Sequence, residues 1–122
     1  MTRRGERGAG TLLVAVAGLG VALLVAVALV AAGFAWARHR VDGAADLAAI
    51  AGARAQRGGE DACAAARASA RANDVELDAC AVAGDEVEFV VSVRTSLPLA
   101  WGPWADRVAG QAHAGVVTGA PE

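Results

Sequence analysis

The residues that could do chemistry in this 122-residue chain are few: Cys63, Cys80, His39 and His113 are its only cysteines and histidines. Two thiols can join in a disulfide, serve as metal ligands or stay reduced and buried. A zinc site needs a second ligand pair at close spacing, and none stands near either cysteine. His39 lies between Arg38 and Arg40, where a place at a membrane edge accounts for it. His113 falls in a short alternating stretch near the end. No Ser/His/Asp or Cys/His arrangement stands in the local sequence, and the Gly58-Gly59 pair lacks the Lys-Ser/Thr context of a phosphate loop. The expectation is a protein with no catalytic, cofactor-binding or metal site, not an enzyme, with no cofactor and no small-molecule substrate.

The cysteines then depend on compartment. Outside the cytoplasm, a Cys63–Cys80 disulfide is the natural pairing. Closing a loop of that size stabilises by about 3 kcal/mol in the chain-entropy model. Inside, the alternative is two reduced, buried thiols.

The membrane segment decides the compartment. Residues 8–37 carry no charged side chain. A span needs about 20 residues, and a backbone in lipid must satisfy its own hydrogen bonds, so the run is a helix. Its excess length predicts tilt or a protruding end. Trp36 sits where an interfacial aromatic belongs. A cleaved secretory signal is the competitor, since Ala35-Trp36-Ala37 has a small-x-small form; an apolar signal core of about 7–15 residues is much shorter than this run. Arg3, Arg4 and Arg7 flank one end, Arg38 and Arg40 the other. The arginine count places the N-terminus in the cytoplasm and the C-terminal domain outside.

Beyond the membrane, residues 38–57 continue the helix, with Val41, Ala44, Leu47, Ala48, Ile50 and Ala51 at helical spacing and Arg38 and Asp42 as an i,i+4 pair. Gly58-Gly59 ends it. A second helix is expected over 60–72, with Glu60 and Asp61 in its first turn, Cys63, Ala66 and Ala70 on one face, and Asn73 as its stop. The period then changes to two. Val75, Leu77, Ala79 and Ala81 alternate with Glu76, Asp78 and Cys80; a turn falls at Ala83-Gly84-Asp85; and Val87, Phe89, Val91 and Val93 alternate with Glu88, Val90, Ser92 and Arg94. Two such runs predict a β-hairpin. Pro98 is expected to stop the second strand, with residues 98–104 irregular, a last short strand over 111–117 and a frayed end at 118–122. Trp101 and Trp104 bracket Gly102-Pro103. They could anchor a partner or the membrane surface; covering the small hairpin core is the preferred reading.

Composition narrows the class. There is no lysine and no tyrosine, and the bias to Ala, Gly, Val and Arg fits a GC-rich genome. From Arg38 onward twelve acidic residues face eight arginines, so no nucleic-acid surface is expected. Gly18, Gly20 and Gly33 give the span a small-residue face that permits close helix packing.

The opening Arg7-Gly8-Ala9-Gly10-Thr11, the exit Ala37-Arg38-His39-Arg40, the segment Ala44-Ala45-Asp46-Leu47-Ala48-Ala49-Ile50-Ala51-Gly52-Ala53, then Cys63, Cys80 and a Gly-Asp turn before a Val-rich strand together resemble the small TadE-like proteins of actinobacteria, relatives of the Flp/Tad pilus-assembly minor pilins. The resemblance implies a pilin-like or pseudopilin-like component of a type IV-related pilus or secretion system, acting by helix packing and assembly. It also implies leader cleavage by a prepilin-type peptidase after Gly8 or, second, Gly10. One departure stands out: the glutamate that many such proteins carry five residues after the cut is Leu13 or Ala15 here.

The expectation is therefore an α+β membrane protein: a basic tail or leader over 1–8, a transmembrane helix over 9–37, a helix extension over 38–57, a small extracytoplasmic domain of a helix and an antiparallel hairpin or small sheet over 58–117, and a tail over 118–122. Its expected partners are membrane lipid and other pilin-like or secretion-system membrane proteins. Two alternatives are a small bitopic scaffold or regulator of an unrelated membrane complex, and a cleaved, secreted disulfide protein.

Overall fold

A computed structural model describes the backbone over residues 4–101 and 104–118, with side chains over 8–100 and 105–118. The order is α1 (Arg4–Arg57), α2 (Ala62–Ala72), β1 (Glu76–Gly84), β2 (Phe89–Trp101) and β3 (Trp104–Val116). The chain divides into two compact units, Met1–Ala35 and Trp36–Glu122.

The first unit is apolar helix. Within α1 one stretch is long and apolar enough to cross a membrane, with a mean hydropathy of 2.9. Its large side chains, from Leu12 to Phe34, are 49–73% exposed among the described residues.

In the second unit α1 is amphipathic in size as well as polarity. Ala37, Val41, Ala44, Ala45, Ala48, Ala49 and Ala55 are buried, and all but Val41 are alanines. Small residues let the sheet approach closely. A Cβ on Gly110 of β3 would stand 2.7 Å from Val41 Cγ1, and one on Gly52 would stand 2.9 Å from Val91 Cγ1 and 3.1 Å from the Ala62 carbonyl oxygen. The helix extension is thus part of the folded unit, which begins at Trp36. Leu47 and Ile50, expected on the buried stripe, lie instead on the outer face at 51% and 42% exposure. The spacing set them beside Val41 and Ala48 on one broad arc, but only the narrow alanine face meets the sheet.

α1 ends at Gly58-Gly59 as expected, with Gly59 in the left-handed region (φ +75°). α2 starts later than the charge pattern indicated. Asp61 is its N-cap: the side chain accepts from the Ala64 N–H at 3.0 Å, and Glu60 stays outside. Ala62, Ala66 and Ala70 face the core. Asn73 caps the C-terminus, and Asp74 turns the chain with φ 57°.

The sheet is antiparallel in the order β1-β2-β3. β1 and β2 form the expected hairpin, with its turn at residues 85–88. There Asp85 accepts from the Val87 and Glu88 N–H groups, both at 2.8 Å. The parity of β1 differs from the expected one. Its register shifts between Leu77 and Ala79. The extra residue, Asp78, moves Cys80 to the inner face with Leu77 and puts Ala79 and Ala81 outside. Pro98 does not stop β2. It sits at an exposed position beyond the last β1 pair, Glu76↔Ser96, where no third strand asks for its missing N–H. β2 and β3 therefore pair all the way from Phe89↔Val116 to Trp101↔Trp104, and β3 is far longer than the strand expected over 111–117. Phe89, Val91, Val93, Val108 and Ala112 complete the core.

Candidate functional site

Three places carry residues singled out in the sequence, and a fourth arrangement emerges from the sheet. The disulfide is the simplest. Cys63 on α2 and Cys80 on β1 are joined, with Cα atoms 5.8 Å apart, across 17 residues of chain. α2 lies over the sheet, and the Asp78 bulge turns Cys80 inward to meet it. A strand without the bulge would point residue 80 away.

The second place is the Trp36 end of the folded unit. Trp36 is 62% exposed, and the Arg40 guanidinium lies 5.5 Å from its ring centroid, a cation–π distance. Arg40 also donates to Asp74 at 3.2 Å; both groups are exposed, so the pair adds little stability. This pairing takes the place of the expected Arg38–Asp42 pair, whose members line a shallow recess with Arg94 and Gln111.

The third is the outer face of α1. Leu47 and Ile50 are one turn apart on an otherwise polar surface with Asp46, Arg54 and Arg57. Nothing in the described residues lies over them. The same helix in the first unit exposes all its large apolar side chains.

The fourth, missed from sequence, is a polar row across the outer face of the sheet. His113 Nδ1 stands 2.7 Å from Ser92 Oγ, and its Nε2 stands 3.1 Å from the Gln111 amide nitrogen. The register puts Ser92 opposite His113 and Arg94 opposite Gln111. The two expected strands contain these residues; what the sequence does not show is the β2–β3 register that sets them side by side. The ring is held by an amide and a hydroxyl, with no carboxylate to orient it as a proton-accepting base. Nearer the hairpin end, Arg107 donates to Glu76 at 2.6 Å and to Ser96 Oγ at 3.1 Å. The hydrogen bond to Glu76 raises the Arg107 pKa further above its ordinary value.

The remaining sequence candidates fall apart from one another. Gly8 and Gly10 lie within α1, with open space where a Cβ would stand. The side chains of Trp101 and Trp104, and Gly102-Pro103 between them, lie outside the described residues. Among the described residues no cluster of His, Cys, Asp and Glu is arranged to hold a metal ion.

What the geometry defines is a long apolar N-terminal helix carrying a small, disulfide-stapled α+β unit. Compared with known proteins, the chain matches no protein-family model, no curated protein and no solved structure.

Proposed function

We propose that the chain is a TadE-like, pilin-type membrane component that works by packing its helix against those of other membrane proteins in a type IV-related pilus or secretion assembly. In this reading the apolar half of α1 spans the cell membrane once, with the N-terminus in the cytoplasm and the disulfide-bearing unit outside.

One observation carries it. The outer face of α1 keeps Leu47 and Ile50 uncovered while its inner face is sealed by the sheet. A helix extension that served only to hold the small domain would need apolar residues on one side alone. Two large ones on the other side are suited to a neighbouring helix, in line with the bare span that precedes them. The disulfide supports the outside location of the folded unit. The arginine balance, Arg3, Arg4 and Arg7 against Arg38 and Arg40, supports the orientation.

The test is photo-crosslinking in the native membrane, with a reactive residue placed at position 47 or 50 of the full chain and adducts identified by mass. Adducts with other pilin-like, single-helix proteins are expected. Adducts confined to an unrelated membrane complex favour the scaffold reading instead. Sequencing the mature N-terminus runs beside it: Ala9 or Thr11 marks leader removal after Gly8 or Gly10, an intact Met1 marks a permanent anchor, and Arg38 marks a secreted protein and ends the pilin-like reading.

A further inference from the structure

We infer that the outer stripe of α1 in the folded unit docks the helix of a different chain, one that sets a carboxylate against Arg54, and not a second copy of this protein. The inference rests on the helix-packing reading of α1 and names the chemistry of the partner.

Six exposed residues stand in one line on this part of the helix: Arg40, Gly43, Leu47, Ile50, Arg54 and Arg57. Their spacing alternates three and four residues, the repeat that holds one edge of a helix against one partner helix. The positions between them, Ala44, Ala45, Ala48 and Ala49 among them, are the ones the core buries. From Gly43 to Arg57 the line runs for about 21 Å, or about two heptads.

Gly43 is not used by the fold. A Cβ there would meet nothing within 4 Å, whereas Gly52 and Gly110 each admit a close neighbour. A glycine inside a helix weakens it relative to alanine. On the outer line, one turn before Leu47, it lets the backbone of another helix come close.

The charges decide what that helix carries. Arg54 makes no ion pair among the described residues, and no acid stands three or four residues from it along α1. Arg40 is held by Asp74 and Trp36, and Arg57 shares a shallow recess with Glu60 and Glu86. Arg54 is the cation left for a partner. The last turn of any helix favours a cation; this one also lies in line with Leu47 and Ile50, one turn beyond Ile50.

A second copy serves the line badly. Laid parallel, with Leu47 on Leu47 and Ile50 on Ile50, two copies set Arg54 against Arg54 and Arg57 against Arg57. Laid antiparallel, with Leu47 on Ile50, they set Arg57 against Arg40 and put Gly43, not a carboxylate, opposite Arg54. Sliding one parallel copy by a heptad puts Arg54 on Leu47. Like charges facing across a helix pair oppose it. A different helix with an apolar face and an Asp or Glu opposite Arg54 covers Leu47 and Ile50 and pairs the guanidinium. Over so short a contact, the charge selects the partner more than it supplies affinity.

The test uses the full chain in density-matched detergent micelles, with its own Arg54→Glu variant as the probe. That variant presents the same apolar pair with a carboxylate in the partner's place. Sedimentation equilibrium compares the native chain, the variant and an equal mixture. The mixture is expected to associate at least about tenfold more tightly than the native chain alone, and Leu47→Ser in both chains is expected to remove the gain. Arg54→Gln, with neither charge, should self-associate between the two, and it carries the comparison if Arg54→Glu loses its near-ultraviolet dichroism. A native chain that associates as tightly as the mixture, and loses this with Leu47→Ser, makes a second copy the occupant: the inference falls and the helix-packing reading stands. Association that ignores Leu47→Ser, or none in any sample, overturns the inference too. The native membrane separates it from the reading beneath it. Adducts from a reactive residue at position 50 should survive Arg54→Lys and vanish with Arg54→Glu. Adducts that persist with Arg54→Glu sink the inference alone, and a native chain that forms none ends the helix-packing reading.

Discussion

The two lengths of α1 are both rich in alanine and end in opposite environments. Before Trp36 the large side chains point to every side and are 49–73% exposed; after it, Ala45, Ala48 and Val41 are wholly buried while Leu47 and Ile50 face out. Charge and size both separate the two regions: residues 8–37 carry no charged side chain, while Arg38, Arg40, Asp42, Asp46, Arg54 and Arg57 lie in the second. The first length offers large apolar side chains uncovered on every side, which suits a fluid apolar surrounding. The second offers a smooth alanine strip, which a flat sheet can cover from one side at close range. A helix whose small residues lie inward and large ones outward is thus read by where it is narrow.

The strongest way to break the comparison is to give the first region the polarity of the second. Leu23→Arg with Leu24→Arg should abolish membrane integration, at a cost of about 3 kcal/mol for each charge near the span centre. Alkaline carbonate extraction checks it: the native chain should stay with the membrane and the variant should not. If the variant pellets as the native chain does, lipid is not what covers residues 8–37.

Next comes the staple. Cys63→Ser with Cys80→Ser should lower the stability of the folded unit by about 3 kcal/mol and leave the apolar unit untouched. Urea titration of near-ultraviolet dichroism in detergent reads the first, carbonate extraction the second. Thiol labelling of denatured, unreduced native protein should find no free thiol.

A smaller effect sharpens the size argument. Gly110→Ala should cost about 2 kcal/mol, because its methyl group meets Val41 Cγ1 at 2.7 Å and the Val41 backbone oxygen at 2.9 Å. Gly43→Ala, with nothing within 4 Å, should instead stabilise slightly through helix propensity. Equal effects from the two would show that close approach is not what the glycine serves. Leu47→Ser should change the unfolding free energy by less than about 0.5 kcal/mol yet weaken the crosslinks expected from a reactive residue at position 50.

The smallest effect is in the β1–β2 turn. Hydrogen bonds from the Glu88 and Val87 N–H groups hold the Asp85 pKa below its ordinary value. The turn is therefore tightest above the unfolded carboxylate pKa of about 4 and loosens as the pH falls through the lower folded value. Amide exchange at Val87 and Glu88 should quicken in that acid range only, and Asp85→Ala should remove the pH dependence.

Much of this was legible in the sequence. The uncharged run, the Gly58-Gly59 stop, the Asn73 stop, the Cys63–Cys80 pair and the alternation from Phe89 to Val93 each rest on chemistry within a few residues. What was hidden depends on pairing across the chain. Pro98 breaks a central strand but not a hairpin arm with a free side, and only the register shows which it occupies. The Asp78 bulge leaves no mark in composition, so the alternation of β1 looked regular when it was not. The outward turn of Leu47 and Ile50 follows from how narrow a face the sheet covers, which helical spacing alone cannot set. The row of Ser92, His113 and Gln111 needed the register of β2 against β3, which local alternation does not set.

The position of the one covalent bridge has a mechanical consequence for the folded unit. It ties α2 to β1, whereas α1 meets the sheet by contact alone, at Val41 against Gly110 and Gly52 against Val91. A force along this part of α1 would load both contacts in shear. The helix would then slide from the sheet while α2 and β1 stay fastened together.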